Sequence, residues 1–196
     1  MALSVAPAAG AQRVVHGAVI ASDTLPAASL RFDTTLTYAG TQTVMLSART
    51  RAEQHFFVDA TRDRRVRRLY WVQFEGPGRY TYSGDAMVSH DGLEWRENFR
   101  FYPTDGLSSP PGSDGDQARR FLEAAGYRFG PDLARLRLVW LLEPVPAEHE
   151  VMIIYLEDLA DTGLNVAALR ADAAAWEALK PRLRARALAG LRVHFD

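Results

Sequence analysis

The chain predicts an α+β fold built on a strongly curved, mostly antiparallel sheet, with helices concentrated in the C-terminal half. Two observations point there: extended apolar segments bounded by turn residues fill the first half, and helical periodicity appears late. A third is the run Arg68-Leu69-Tyr70-Trp71-Val72-Gln73-Phe74-Glu75, which has large apolar groups on both faces and places Gln73 and Glu75 beside Trp71 on one of them. A solvated face has no need of Leu69 and Trp71, and a dry core face does not readily take Gln73 and Glu75. A sheet wrapped around a pocket, barrel-like if it closes, satisfies both conditions.

Residues 1–12 read as a flexible tail, since Met1-Ala2-Leu3-Ser4-Val5-Ala6-Pro7 has neither the basic part nor the sustained apolar part of a signal peptide. Residues 13–196 read as a single domain. A first strand is expected over 14–22. Segments 30–38 and 42–48 form a hairpin around Ala39-Gly40-Thr41, with Gly40 available for a left-handed position.

Segments 53–59 and 67–75 form a second hairpin around a turn at 61–65. The register that pairs Asp59 with Arg67 also pairs His55 with Trp71 and Glu53 with Gln73, and a slip of one residue would exchange the faces. Segments 87–90 and 93–101 flank Asp91-Gly92, the strongest short hairpin signal in the chain. Here His90 pairs with Leu93, Val88 with Trp95 and Ala86 with Glu97, so His90, Trp95 and Glu97 share a face.

From 103 to 116 the chain is rich in Pro, Gly, Ser and Asp and reads as a long loop able to act as a lid. Ser113 caps a helix running to about Ala125, closed by Gly126. Segments 136–142 and 151–157 are strands, the second apolar on both faces and therefore central. Asn165 caps a helix to about Leu179, Pro181 opens a second short helix closed by Gly190, and Leu191, Val193 and Phe195 alternate as a terminal strand.

Composition removes several function classes. The 196 residues carry a net charge of −1, so no basic field recommends nucleic acid or an anionic membrane as partner. With no Cys there are no thiol nucleophiles, disulfides or Cys-ligated metals, and Lys180 is the single lysine. Phosphate-loop, dinucleotide and nucleophile-elbow motifs do not occur. The Arg-rich, Lys-poor usage resembles the coding bias of a GC-rich bacterial genome. Glu157-Asp158-x-x-Asp161 offers carboxylates for a hard cation but reads as a strand end and turn. No cofactor or metal is expected.

His, Glu, Asp, Tyr and Arg remain for chemistry. Glu75 is the expected acid or base, its pKa raised by burial beside an indole, and His55 is its proton-carrying partner. Trp71, Gln73, His90, Trp95 and Glu97 are the expected substrate-binding residues, with Gln73 orienting a carbonyl and the two Trp forming an apolar wall. The leading expectation is a cytoplasmic, cofactor-independent isomerase, cyclase or lyase acting on a mainly apolar metabolite, with a homodimer admitted. A non-catalytic carrier or sensor with the same pocket, and a protein–protein interaction module, are the alternatives.

Overall fold

A computed structural model describes residues 13–23, 25–46 and 50–195. The expected tail at 1–12 lies outside these residues, as does the end of the expected 42–48 strand. Eleven strands and three α-helices follow one another among the described residues. The strands of the first half are β1 (Arg13–His16), β2 (Val19–Asp23), β3 (Ala27–Phe32), β4 (Thr37–Leu46), β5 (Thr50–Ala60), β6 (Val66–Gly76), β7 (Ala86–His90) and β8 (Leu93–Pro103). Then come α1 (Asp114–Ala124), β9 (Asp132–Leu141), β10 (Glu150–Asp158), α2 (Val166–Ala171), α3 (Ala173–Ala189) and β11 (Leu191–Phe195).

The strands form two antiparallel sheets that do not close into a barrel. The small sheet has the order β1-β2-β3-β11, and the large one β4-β5-β6-β10-β9-β8-β7. One face of the large sheet, with Tyr70, Val72, Ile153, Leu136 and Leu138, packs in one core with the small sheet, α2 and α3. The opposite face, with Phe56, Leu69, Trp71 and Ile154, packs against Ala118 and Leu122 of α1. Cover on both faces explains why β10 is apolar throughout its middle, and β10 is indeed the central strand.

The Asp91-Gly92 hairpin has the expected register, including Val88 opposite Trp95 and Ala86 opposite Glu97. Both turn residues have positive φ, 52° and 78°, which an Asp-Gly pair tolerates.

Three expectations are corrected. Gly40 does not turn a hairpin; it lies inside β4 at a bulge between Tyr38 and Gly40. The turn falls earlier, where Asp33 Oδ1 accepts from Thr35 N at 2.9 Å, and β3 leaves to pair with β2 and β11. The late helices also divide elsewhere. Asn165 caps α2 as expected, but Asp172 Oδ1 accepts from Ala174 N and Ala175 N at 2.9 and 3.1 Å and starts α3, which carries Pro181 in its interior.

The third correction concerns register. Asp59 lies opposite Arg68 rather than Arg67, because a bulge between Asp59 and Ala60 absorbs one residue of β6. Arg67 Nε at 3.1 Å and Arg68 Nε at 2.8 Å both donate to Asp59, so its carboxylate serves both arginines across the irregularity. His55 therefore faces Val72, and Gln54, not Glu53, faces Gln73.

Candidate functional site

Trp71, Gln73 and Glu75 share the α1 face of β6, as alternation requires. His55 is on the other face and does not meet Glu75 across the sheet. Its Nδ1 stands 3.1 Å from Tyr38 Oη and its Nε2 2.8 Å from Glu53 Oε1. With Tyr38 donating to Nδ1, the tautomer carries its proton on Nε2 and donates it to Glu53. Glu53 Oε2 also accepts from Arg13 Nη1 at 2.8 Å. Burial pushes the Glu53 pKa up, but the hydrogen bond from His55 and the Arg13 charge outweigh it and hold this carboxyl below the usual range.

His90, Trp95 and Glu97 do share a face, but far across the sheet from Glu75, where they tie other elements in place. His90 Nε2 lies 3.2 Å from Leu191 O of β11, and Trp95 Nε1 donates to His90 O at 3.4 Å. Glu97 receives both arms of Arg184 from α3, with Nε at 2.8 Å. The expected gathering of these three with Glu75 does not occur.

Gln73 is fully buried in a one-way chain of amides. Gln42 Nε2 donates to Gln54 Oε1 at 2.7 Å, Gln54 Nε2 to Gln73 Oε1 at 2.5 Å, and Gln73 Nε2 to Glu75 Oε1. With both ends of its amide engaged, Gln73 orients Glu75 rather than a substrate carbonyl.

Glu150 is the residue that sequence reading missed. It lies directly opposite Glu75 on β10 and is 2% exposed. Burial first, and then the charge of Glu75, push its pKa up to about 8, against the opposing hydrogen bond from Tyr82 Oη, which reaches its two oxygens at 3.0 and 2.7 Å. Glu75 is raised too, chiefly by burial, with the Gln73 hydrogen bond opposing and the Asp114 charge adding. Tyr80, whose hydroxyl is buried without a well-aligned partner among the described residues, has its pKa raised by burial and by the charge of Glu75. The signal was present in sequence: Glu150 adjoins the all-apolar run 151–156, where an acid at the strand's start is carried inside with it.

A cavity of about 470 Å³ opens at the end of β6 and is lined by Glu75 and Glu53, with Arg13, Arg51 and His149 as further polar groups. Leu25, Phe74 and Pro77 give it an apolar side. His55 does not line it, but the Glu53 that it holds does. His149 Nδ1 is engaged by Glu143 Oε1 at 2.7 Å.

The acids of 157–161 are neutralised by arginine: Glu157 by Arg186, Asp158 and Asp161 by Arg65. Among the described residues no group of three or more His, Asp or Glu is arranged to share a metal ion. The 103–116 segment forms a 3-10 turn over Thr104–Ser108 and then the Ser113 cap of α1. It covers a second, smaller cavity over Trp71, not the Glu75 cavity. No protein-family model, curated protein or solved structure matches the chain, so the site's own geometry carries the functional reading.

Proposed function

We propose that this protein is a cofactor-independent acid–base enzyme that isomerises, cyclises or eliminates on a small, mainly apolar molecule held in the 470 Å³ cavity. One observation supports the reading above others. Glu75 and Glu53, on opposite faces of the sheet, both border the cavity at the end of β6, and their surroundings push their proton affinities in opposite directions. Two carboxyls separated in this way divide naturally into an acid and a base.

In this reading Glu53, held ionised by His55 and Arg13, takes a proton from substrate carbon. Glu75, whose proton affinity burial raises, gives one to a substrate oxygen or double bond. His55 is a positioning residue that fixes the base without touching substrate. Glu150, proton-bearing at neutral pH and opposite Glu75, is placed to restore the acid after turnover. Leu25, Phe74 and Pro77 supply the apolar wall.

The test is solvent exchange. A panel of small cyclic and unsaturated ketones is incubated with protein in D2O, and deuterium incorporation next to the carbonyl is followed by NMR. Protein-dependent exchange on at least one compound, lost in Glu53→Gln and sharply reduced in Glu75→Gln, is expected. Saturable binding with no exchange on any compound would overturn the catalytic reading in favour of a carrier.

A further inference from the structure

The second cavity, about 220 Å³, lies between the α1 face of the large sheet and the 106–115 segment. Trp71, Arg100, Tyr102, Asp114 and Arg135 line it among apolar groups such as Leu107. Arg135 projects from β9, and its Nη2 donates to Asn98 Oδ1 at 3.0 Å. Its Nε is buried without a partner, and it forms no ion pair among the described residues. Burial pulls its pKa down. The Asp114 charge acts on it without an ion pair, and the Arg100 and Arg137 charges oppose that effect. A guanidinium withdrawn from water in this way is costly, and such groups are ordinarily paired.

Trp71 supplies the second observation. It is 2% exposed, it lines this cavity, and its indole N–H is buried with no partner among the described residues. Both unsatisfied groups at the cavity are donors, so what completes it is an acceptor, and the arginine makes that acceptor an anion. Asp114 lines the cavity as well, with its Oδ1 accepting from Gly115 N at 2.8 Å. Its charge disfavours any ligand carrying more than one negative charge. The volume suits a small molecule, and Leu107, Pro110 and Ile154 give a short hydrocarbon part an apolar contact within a largely polar wall.

We propose that this cavity binds a small monocarboxylic acid, whose carboxylate accepts hydrogen bonds from Arg135 and from the indole N–H of Trp71. No residue is shared with the lining of the Glu75 cavity, so the proposal stands whether or not that cavity is catalytic.

The experiment follows the four Trp indole N–H resonances of ¹⁵N-labelled full-length protein, with that of Trp71 identified by its loss in Trp71→Phe. Butyrate is expected to shift the Trp71 signal saturably, while butyramide, of the same shape without charge, does not. Calorimetry should show butyrate binding weakened about tenfold or more in Arg135→Gln and in Trp71→Phe. If Arg135→Gln fails to fold, Trp71→Phe alone decides, because it keeps an aromatic ring and removes only the donor-bearing part. No saturable shift, or equal shifts from butyrate and butyramide, would mean that water fills the cavity and would overturn the proposal. Unchanged affinity in Trp71→Phe, or tighter binding of inorganic phosphate than of butyrate, would overturn it too.

Discussion

Glu75 and Glu150 stand directly opposite one another across the β6–β10 ladder, both buried and both with raised pKa. Like charges at opposed strand positions are unfavourable, and burial multiplies the cost of ionising both. The raised proton affinities of the pair lessen that cost, and Gln73 and Tyr82 supply hydrogen-bond donors to it.

A carboxyl with a raised folded-state pKa binds its proton more tightly folded than unfolded. Its stabilisation is complete below the ordinary value of 4.5 and is lost as pH rises through the folded value of about 8. At about 1.4 kcal/mol per pKa unit, the rise at Glu150 should cost the wild type roughly a few kcal/mol between pH 5 and pH 8. Glu150→Gln should flatten that loss, and Glu75→Gln should be neutral or stabilising near pH 7. Urea midpoints at the two pH values decide the matter, and identical pH dependence in wild type and Glu150→Gln would refute the buried-acid assignment.

Glu53 behaves in the opposite sense. Its lowered pKa makes a contribution that is present above the usual carboxylate range and lost as pH falls through its folded value. His55→Phe removes one of the two groups that hold it ionised, so the acid-unfolding midpoint should move to higher pH. Stability at pH 7 should fall by about 1–3 kcal/mol as buried hydrogen bonds are broken. Circular dichroism across an acid titration measures the first effect, and an unmoved midpoint would tell against the coupling.

The amide chain Gln42–Gln54–Gln73 predicts strong non-additivity. Gln73→Leu strands the Gln54 amide in the core and should cost about 1–3 kcal/mol. The double variant Gln54→Leu/Gln73→Leu should cost clearly less than the sum of the singles. Additive losses in a denaturation cycle would show that the two amides do not depend on each other.

Gly115, the second residue of α1, lies against the backbone of Leu107, where an added Cβ would lie 2.3 Å from Leu107 O. An Ala in a helix ordinarily gains about 1 kcal/mol over Gly. Here Gly115→Ala should instead destabilise by about 1–3 kcal/mol through overpacking, and it should open the cavity over Trp71. A thermal midpoint at or above that of the wild type would contradict the close approach.

Local patterning was enough for much of the architecture. The Asp91-Gly92 turn dictated its own register, the two-faced apolarity of 151–156 announced a central strand, and Ser113 and Asn165 marked two helix starts. The burial and raised pKa of Glu75 followed from its position beside Trp71 on a covered face. The partners of Glu75 did not. The bulge between Asp59 and Ala60 moves the β5–β6 register by one residue, and with a side-chain period of two this carries His55 to the opposite face and brings Gln54 to Gln73.

The sequence by itself therefore determined the α+β class, most strands and the character of one acid, because these depend on alternation, capping and turn chemistry within a few residues. Only the tertiary structure decided that Glu150 opposes Glu75, that Glu53 rather than His55 reaches the cavity, and that His90 and Glu97 dock β11 and α3. Strands β6 and β10 meet across more than seventy residues of intervening chain, and such pairing is set by the packing of whole faces. No local periodicity carries that information.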